Sequence, residues 1–196
     1  MTLMYFERPP AVFIRVRKTG STSVVRGLFR GARQAAEKSD GIFRPEWSSL
    51  FVFAFVRNPF ERMISCFEMF KSINVEGAVE ERQRSDLTLS TLMDVIENES
   101  IGFSHKGNYL TKLKQHALPM THPSYHLKKA KFIGRYEHFE RDFRKVAEIL
   151  GAKVTQVPHF RNNRATKDYR SFFDADSRKR AERILAKDMD TFGYTF

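Results

Sequence analysis

The sequence has one cysteine, Cys66, among its 196 residues. A single cysteine excludes an internal disulfide, so the chain lacks the framework of a small secreted scaffold. No apolar run reaches the length of a membrane span, and the longest, Leu50–Val56, has the length of a buried strand. The N-terminus also lacks the basic-then-apolar pattern of a signal peptide. The same would hold for a luminal domain whose signal segment has been trimmed away. We therefore expect a cytoplasmic protein without a transmembrane segment.

Acidic residues are scarce relative to basic ones, since 23 Asp and Glu stand against 34 Lys and Arg. The formal net charge of +11 is spread along the chain and favours anionic partners, such as nucleotides, acidic polysaccharides, nucleic acids or membrane surfaces. Apolar residues make up 41% of the sequence, enough to bury a core rather than stay disordered. At this length we expect one domain over residues 1–196.

Strand and helix patterns alternate along the chain. Strands are predicted at about 11–17, 50–56 and 131–137, with shorter ones at 42–44 and 154–157. Helices are predicted from Ser21 to about residue 37, from Pro59, at 87–97, after the strand at 131–137, and at 175–187. Residues 1–10 are expected to be a lead-in, and residues 74–86 a loop or frayed helix. This alternation predicts an α/β fold with a central parallel sheet flanked by helices.

Two predicted strand ends carry the residues that indicate a function. Arg17–Ser23 follows the first strand and reads Arg-Lys-Thr-Gly-Ser-Thr-Ser before a predicted helix. Backbone N–H groups and the positive end of the helix dipole converge at such a turn, which therefore suits an anion. Arg57 ends the most apolar strand, and its guanidinium can form two hydrogen bonds to a phosphate. Because ligands of parallel sheets bind at the carboxyl ends of strands, the two turns predict one nucleotide site.

The Lys18 turn differs from the P-loop of enzymes that hydrolyse nucleoside triphosphates. That motif has glycines where this sequence has Arg17 and Val12. Its second strand ends in an Asp for Mg²⁺, whereas here the strand ends in Arg57. We therefore predict a nucleotide with anionic groups at two places, bound without a metal. The alternatives are a nucleotide kinase-like enzyme and a non-enzymatic module that binds acidic glycans or nucleic acid.

Two of these stretches resemble the donor-binding motifs of sulfotransferases. Arg17–Ser23 resembles the loop that binds the 5′-phosphosulfate, Pro-Lys-Thr/Ser-Gly-x-Thr-Ser, with Arg17 in place of the usual Pro. Arg57–Ser65 resembles the 3′-phosphate motif, Arg-x-Pro-x-x-Arg-x-x-Ser. The two matches follow one another in the order that the family has.

Two later stretches resemble the carbohydrate-directed branch of that family. Phe132–Glu137 is similar to its Gly-Arg/Lys-Phe/Tyr-Glu block. Asp190–Tyr194 is similar to its ending, Asp-x-x-x-Phe-Gly-Tyr, although one residue only separates Asp190 from Phe192, and Asp188 gives the longer spacing. The ordered set of four motifs is far more specific than any one of them.

The resemblance implies a carbohydrate sulfotransferase with a three-layer, P-loop NTPase-like fold. Its donor would be 3′-phosphoadenosine-5′-phosphosulfate (PAPS), its product 3′-phosphoadenosine-5′-phosphate (PAP), and no metal would be required. Lys18 would be catalytic, at the bridging oxygen of the phosphosulfate. The donor-binding residues implied are Arg17, Lys18, Thr19, Gly20, Ser21, Thr22, Ser23, Arg57, Arg62, Ser65, Arg161 and Arg164.

An acceptor hydroxyl needs a general base. His105 is our candidate, because Ser-His-Lys-Gly-Asn-Tyr-Leu loosely resembles a His-containing stretch of the family. The rivals are His116, Glu37 and Glu46. The expected acceptor is an oligosaccharide or glycan rather than a nucleic acid, and the oligomeric state stays open.

Overall fold

The computed structural model describes residues 2–29, 38–39, 41–74, 76–104, 107–157 and 168–196. The chain divides into two compact units. The sheet unit comprises Met1–Arg57 with His122–Ala165, and the helical unit comprises Asn58–Thr121 with Thr166–Phe196. The single domain expected over residues 1–196 stays a prediction.

Among the described residues, the sheet unit has five strands: β1 Thr2–Glu7, β2 Pro10–Arg15, β3 Lys38–Ser39, β4 Phe51–Val56 and β5 Phe132–Arg135. The strand order is β3-β1-β2-β4-β5, in which β2, β4 and β5 run parallel. The predicted α/β class with parallel central strands is confirmed. The lead-in expected at residues 1–10 is wrong, because β1 pairs antiparallel with β2 and with β3.

The α-helices of the described part are α1 Ser21–Leu28, α2 Pro59–Ser72, α3 Ala78–Ser85, α4 Leu89–Glu97, α5 Tyr109–Ala117, α6 Phe139–Ile149 and α7 Ala175–Phe192. The predicted start of α1 is confirmed, but its predicted continuation is wrong at Phe29, the C-cap residue after Leu28. Residues 30–37 of that prediction lie outside the described residues. No helix within the described ranges is long and apolar enough to cross a membrane.

Both faces of the sheet are buried. Phe13 and Phe53 stack on one face, with ring centroids 5.0 Å apart. That face packs against α1 and α6 through Val24 and Phe143. Ala54 points to the opposite face and is fully buried. Burial on both sides explains why β4 is continuously apolar rather than alternating.

Two short predicted strands are wrong. The backbone at 42–44 forms no strand, and Phe43 instead packs edge-on against Trp47, with centroids 5.7 Å apart. Nor does 154–157 form a strand, and its Val157 is buried in the core shared with α1 and α6. In both places the apolar side chains contribute to packing without pairing the backbone.

The helical unit has its own core. The predicted apolar stripe of α2 is confirmed, since Phe60, Met63 and Phe70 are buried. They share a hydrophobic cluster with Leu113 of α5 and Leu185 of α7.

Candidate functional site

The turn between β2 and α1 has two residues with left-handed backbone conformation, Lys18 at φ 66° and Gly20 at φ 77°. That conformation costs a non-glycine residue about 1–2 kcal/mol, so the surrounding contacts must stabilise Lys18. Between them, the fully buried Thr19 donates its Oγ1 hydrogen to the carbonyl of Val16 at 3.0 Å. The turn therefore has a defined shape although it contains a strained lysine.

The first turn of α1 presents backbone N–H groups and hydroxyls beside this lysine. Gly20 is the N-cap residue, and within the described residues no side chain caps the helix. Ser21 and Ser23 are buried, and Thr22 is half-buried. The Ser21 Oγ accepts a hydrogen bond from the Arg15 Nε at 3.3 Å. Uncapped N–H groups at a helix N-terminus favour an anion.

Arg57 lies beside this turn. It follows β4, the parallel neighbour of β2, and its Nη1 donates to the backbone carbonyl of Lys18 at 3.3 Å. Arg57 is buried, with 6% of its surface exposed. The predicted meeting of the two strand ends is confirmed, and it places two cationic residues at one edge of the sheet.

Tyr136 contacts both turns, a position that no local sequence pattern predicts. The Arg57 Cζ lies 4.3 Å from the centroid of the Tyr136 ring, within the range of a cation–π interaction. A Cβ at Gly20 would lie 3.2 Å from the Tyr136 ring and 2.9 Å from that of Phe139, so only glycine fits there without a shift. The available signal was the position of Tyr136 directly after β5, in the block that resembles the carbohydrate branch.

Arg17 adds a third cationic residue near the turn. Burial lowers the pKa of the Arg17 guanidinium, and interaction with the buried Tyr125 acts in the opposite direction. Desolvation disfavours a charged group, so an anion bound nearby would offset part of that cost.

Arg62 has a structural position in the helical unit. It is 1% exposed, and its guanidinium donates to the carbonyls of His116 at 3.1 Å, Ala117 at 3.2 Å and Leu118. These carbonyls end α5, where the helix leaves acceptors without partners along its own backbone. Arg62 thus stabilises the end of α5, a role that its spacing in the motif did not predict.

The other predicted site residues divide into two groups. Ser65 is half-buried in α2 of the helical unit. His105, Arg161 and Arg164 lie outside the described residues, and so does the rival base Glu37. Their predicted roles stay predictions.

Two of the rival candidates for the general base, His116 and Glu46, lie within the described residues. The His116 Nδ1 lies 2.8 Å from the carbonyl of Lys112, and the imidazole packs edge-on against Phe70. Glu46 is exposed in a short 3-10 helix, Pro45–Ser49. Neither position identifies the residue as the general base. Among the described residues, no three His, Cys, Asp or Glu side chains cluster as metal ligands, and the metal-free site stays a prediction.

Asp188 is a fully buried carboxylate in α7. It accepts hydrogen bonds from the backbone N of Met120 at 2.7 Å and of Thr121 at 2.8 Å, and from the Thr121 hydroxyl at 2.7 Å. Asp188, rather than the exposed Asp190, is therefore the acidic residue with a structural function near the C-terminal motif.

The comparison with known protein families agrees with the motifs. A family model described as the Sulfotransferase family matches residues 1–195. The chain therefore belongs to the sulfotransferase family, and the predicted family is confirmed. Among solved structures, the chain is similar to a sulfotransferase from Alicyclobacillus acidocaldarius, with 17% identity and a TM-score of 0.37. That match covers 76% of this chain and 60% of the other, so the chain spans less than two thirds of its length. No curated protein matches the chain.

Proposed function

We propose that this protein transfers the sulfuryl group of PAPS to a hydroxyl group of a carbohydrate. One observation carries the proposal: the strained Lys18 turn at the start of α1 is bonded to Arg57, the first residue after the neighbouring strand. A site with two cationic side chains and a helix N-terminus suits a ligand with two separate phosphate groups.

The residues present fit the donor. The backbone and hydroxyls of Gly20–Ser23 would hold the 5′-phosphate, and Arg17 would add positive charge. Gly20 keeps this part of the turn free of a side chain, because Tyr136 and Phe139 pack so closely against it that an added Cβ would lie 3.2 Å and 2.9 Å from their rings. Arg57 would bind the 3′-phosphate. The proposed site omits Arg62, since the end of α5 engages its guanidinium.

Ser65 remains in the proposed donor site because it belongs to the 3′-phosphate motif, and Arg161 and Arg164 remain there because the resemblance to the family implies them. Each of the three would bind the 3′-phosphate side of the donor. A cytoplasmic location and the single domain over residues 1–196 are likewise proposals.

These groups would assist the transfer of the sulfuryl group in the following way. The acceptor oxygen attacks the sulfur, and the bond from the sulfur to the bridging oxygen of the 5′-phosphate breaks. Its electron pair stays on that oxygen, so PAP leaves with an additional negative charge. The ammonium group of Lys18 would stabilise this charge, an effect that typically amounts to about 10²–10³ in rate. The proton of the acceptor hydroxyl passes to a general base, for which we propose His105.

The acceptor class is proposed from two features of the sequence. Phe132–Glu137 and Asp190–Tyr194 resemble the carbohydrate branch, and the net charge of +11 suits an acidic glycan. Both features favour a hydroxyl on an oligosaccharide, without selecting one sugar.

A transfer assay tests the proposal. The protein would be incubated with radiolabelled PAPS and a panel of desulfated glycans, simple phenols and an oligonucleotide. We expect label on a glycan with the wild type, and at least about 100-fold less with Lys18→Ala. The exposed Lys128→Ala is the matched control and should transfer normally. Label on phenols alone would contradict the carbohydrate acceptor, and no label on any acceptor would contradict the transferase activity.

A further inference from the structure

We infer that Tyr136 is a positioning residue, which orients the guanidinium of Arg57 and thereby sets the preference of the site for a 3′-phosphorylated nucleotide. This inference rests on the proposed function and adds a residue to it. Tyr136 is not a catalytic residue, because it acts on the ligand through Arg57.

A cation–π contact and a hydrogen bond orient the guanidinium of Arg57. The Tyr136 ring lies against it, with the Cζ 4.3 Å from the ring centroid. The carbonyl of Lys18 accepts from its Nη1 at 3.3 Å. A planar guanidinium forms two parallel hydrogen bonds to a phosphate only in a defined orientation. Because a ring face and a carbonyl limit its rotation, Arg57 is oriented before a ligand arrives.

The position of the Tyr136 ring is itself fixed. The ring packs against the Gly20 backbone, where an added Cβ would lie 3.2 Å from it, and lies 6.0 Å from the centroid of Phe139. Tyr136 also starts a 3-10 helix directly after β5, and the preceding residue, Arg135, donates its backbone N–H to Asp142 at 2.7 Å. The backbone that carries the ring is therefore anchored to α6.

These contacts distinguish Tyr136 from a residue that only fills space. It touches Gly20, in the turn proposed for the 5′-phosphate, and Arg57, proposed for the 3′-phosphate. Loss of the ring would remove the cation–π contact and leave the hydrogen bond from Arg57 to the carbonyl of Lys18. The interaction lost is the cation–π contact, which corresponds to about a 2- to 30-fold change in affinity for a ligand that depends on Arg57.

The experiment measures the affinities for PAP and for 5′-AMP by calorimetry, since these two nucleotides differ in the 3′-phosphate alone. We expect Tyr136→Leu to lower the PAP-to-AMP affinity ratio by about 2- to 30-fold, and Tyr136→Phe, which keeps the ring face, to retain the ratio. Tyr5→Leu is the matched control, because Tyr5 stacks on Trp47 outside the site, and it should also retain the ratio.

A double-mutant cycle separates positioning from general destabilisation. In an Arg57→Met background, Tyr136→Leu should change the ratio no further, because the cation that the ring orients is absent. A second set of variants nearly preserves the shape of the side chain. Phenylalanines with increasing numbers of fluorine atoms are incorporated at position 136, and they weaken the negative charge on the ring face while the ring stays similar in size. The ratio should fall stepwise along that series.

The outcomes are distinguishable from a failure of the proposed function. A wild type without preference for PAP over 5′-AMP would contradict the donor assignment itself. A wild type that prefers PAP, together with an unchanged ratio in Tyr136→Leu and along the fluorinated series, would overturn the role of Tyr136 alone. An equal effect of Tyr136→Leu with and without Arg57 would overturn it as well.

Discussion

The Nη1 of Arg57 donates a hydrogen bond to the backbone carbonyl of Lys18, with an N–O distance of 3.3 Å. The bond connects the carboxyl ends of β2 and β4, which are parallel neighbours in the sheet. The residue that accepts this bond is also the one with the strained backbone, at φ 66°. The two turns of the proposed donor site therefore support one another before any ligand binds.

The strain at Lys18 predicts that two substitutions differ in stability although both lose activity. Lys18→Gly should be more stable than Lys18→Ala by about 0.5–1 kcal/mol, because glycine adopts positive φ without the Cβ penalty. Both variants should lose transfer by at least about 100-fold. Urea unfolding and the transfer assay measure the two effects. A Lys18→Gly variant that is less stable than Lys18→Ala would contradict the assigned backbone strain.

The close packing at Gly20 predicts that Gly20→Ala destabilises the fold. Gly151→Ala is the matched control, since Gly151 also has positive φ, at 62°, but its added Cβ would meet no atom of the described residues within 4 Å. Gly20→Ala should cost about 1–3 kcal/mol more than the control, because its Cβ would press on Tyr136 and Phe139. The free energy of unfolding from urea titration gives the difference. Equal losses at the two glycines would rule out the packing argument.

The buried carboxylate of Asp188 predicts a loss of stability in Asp188→Ala. The change would leave the backbone N–H groups of Met120 and Thr121 without their acceptor, at a cost of about 2–5 kcal/mol in total. Asp190→Ala, two residues along the same helix at an exposed position, should change the stability by less than about 0.5 kcal/mol. Thermal unfolding of both variants checks this, and similar melting temperatures would be evidence against it.

The position of Arg62 predicts that Arg62→Leu destabilises the helical unit. Leucine cannot replace the hydrogen bonds to the carbonyls at the end of α5, so we expect a loss of about 2–4 kcal/mol. Arg82→Leu, which removes an exposed ion pair with Asp86, should lose less than about 1 kcal/mol. Urea titrations of the two variants provide the comparison. An Arg62→Leu variant as stable as Arg82→Leu would show that those bonds contribute nothing net.

Local patterns predicted the elements that position the site. The apolar strand before Lys18 and the one before Arg57 were correct to within about two residues, as were the starts of α1 and α2. These elements have strong local signals: an apolar run, a glycine before a helix, and Pro59 at the first helical position, after Asn58 as the cap. The meeting of the two strand ends followed from the rule for parallel sheets.

The features that the sequence did not predict depend on tertiary contacts. β1 has an apolar pattern, but its identity as a strand depends on antiparallel pairing with β2. Arg62 and Arg57 belong to one motif, yet Arg62 caps α5, whose end is more than fifty positions away in the sequence. The contacts of Tyr136 with Gly20 and Arg57 likewise join residues that are far apart along the chain. Periodicity carries no information on such pairs.

A titration of the wild type with PAP, with 5′-AMP and with ATP plus Mg²⁺ tests the donor site most directly, because it needs no acceptor. A ligand that binds the native state raises the melting temperature according to RT ln(1 + [L]/Kd). We expect the largest rise with PAP and a smaller one with 5′-AMP. The PAP effect should be reduced in Arg57→Lys but not in Arg44→Lys, because the Arg44 guanidinium lies over Trp47 instead. Equal rises with all three nucleotides, or the largest with ATP plus Mg²⁺, would contradict the proposed donor site.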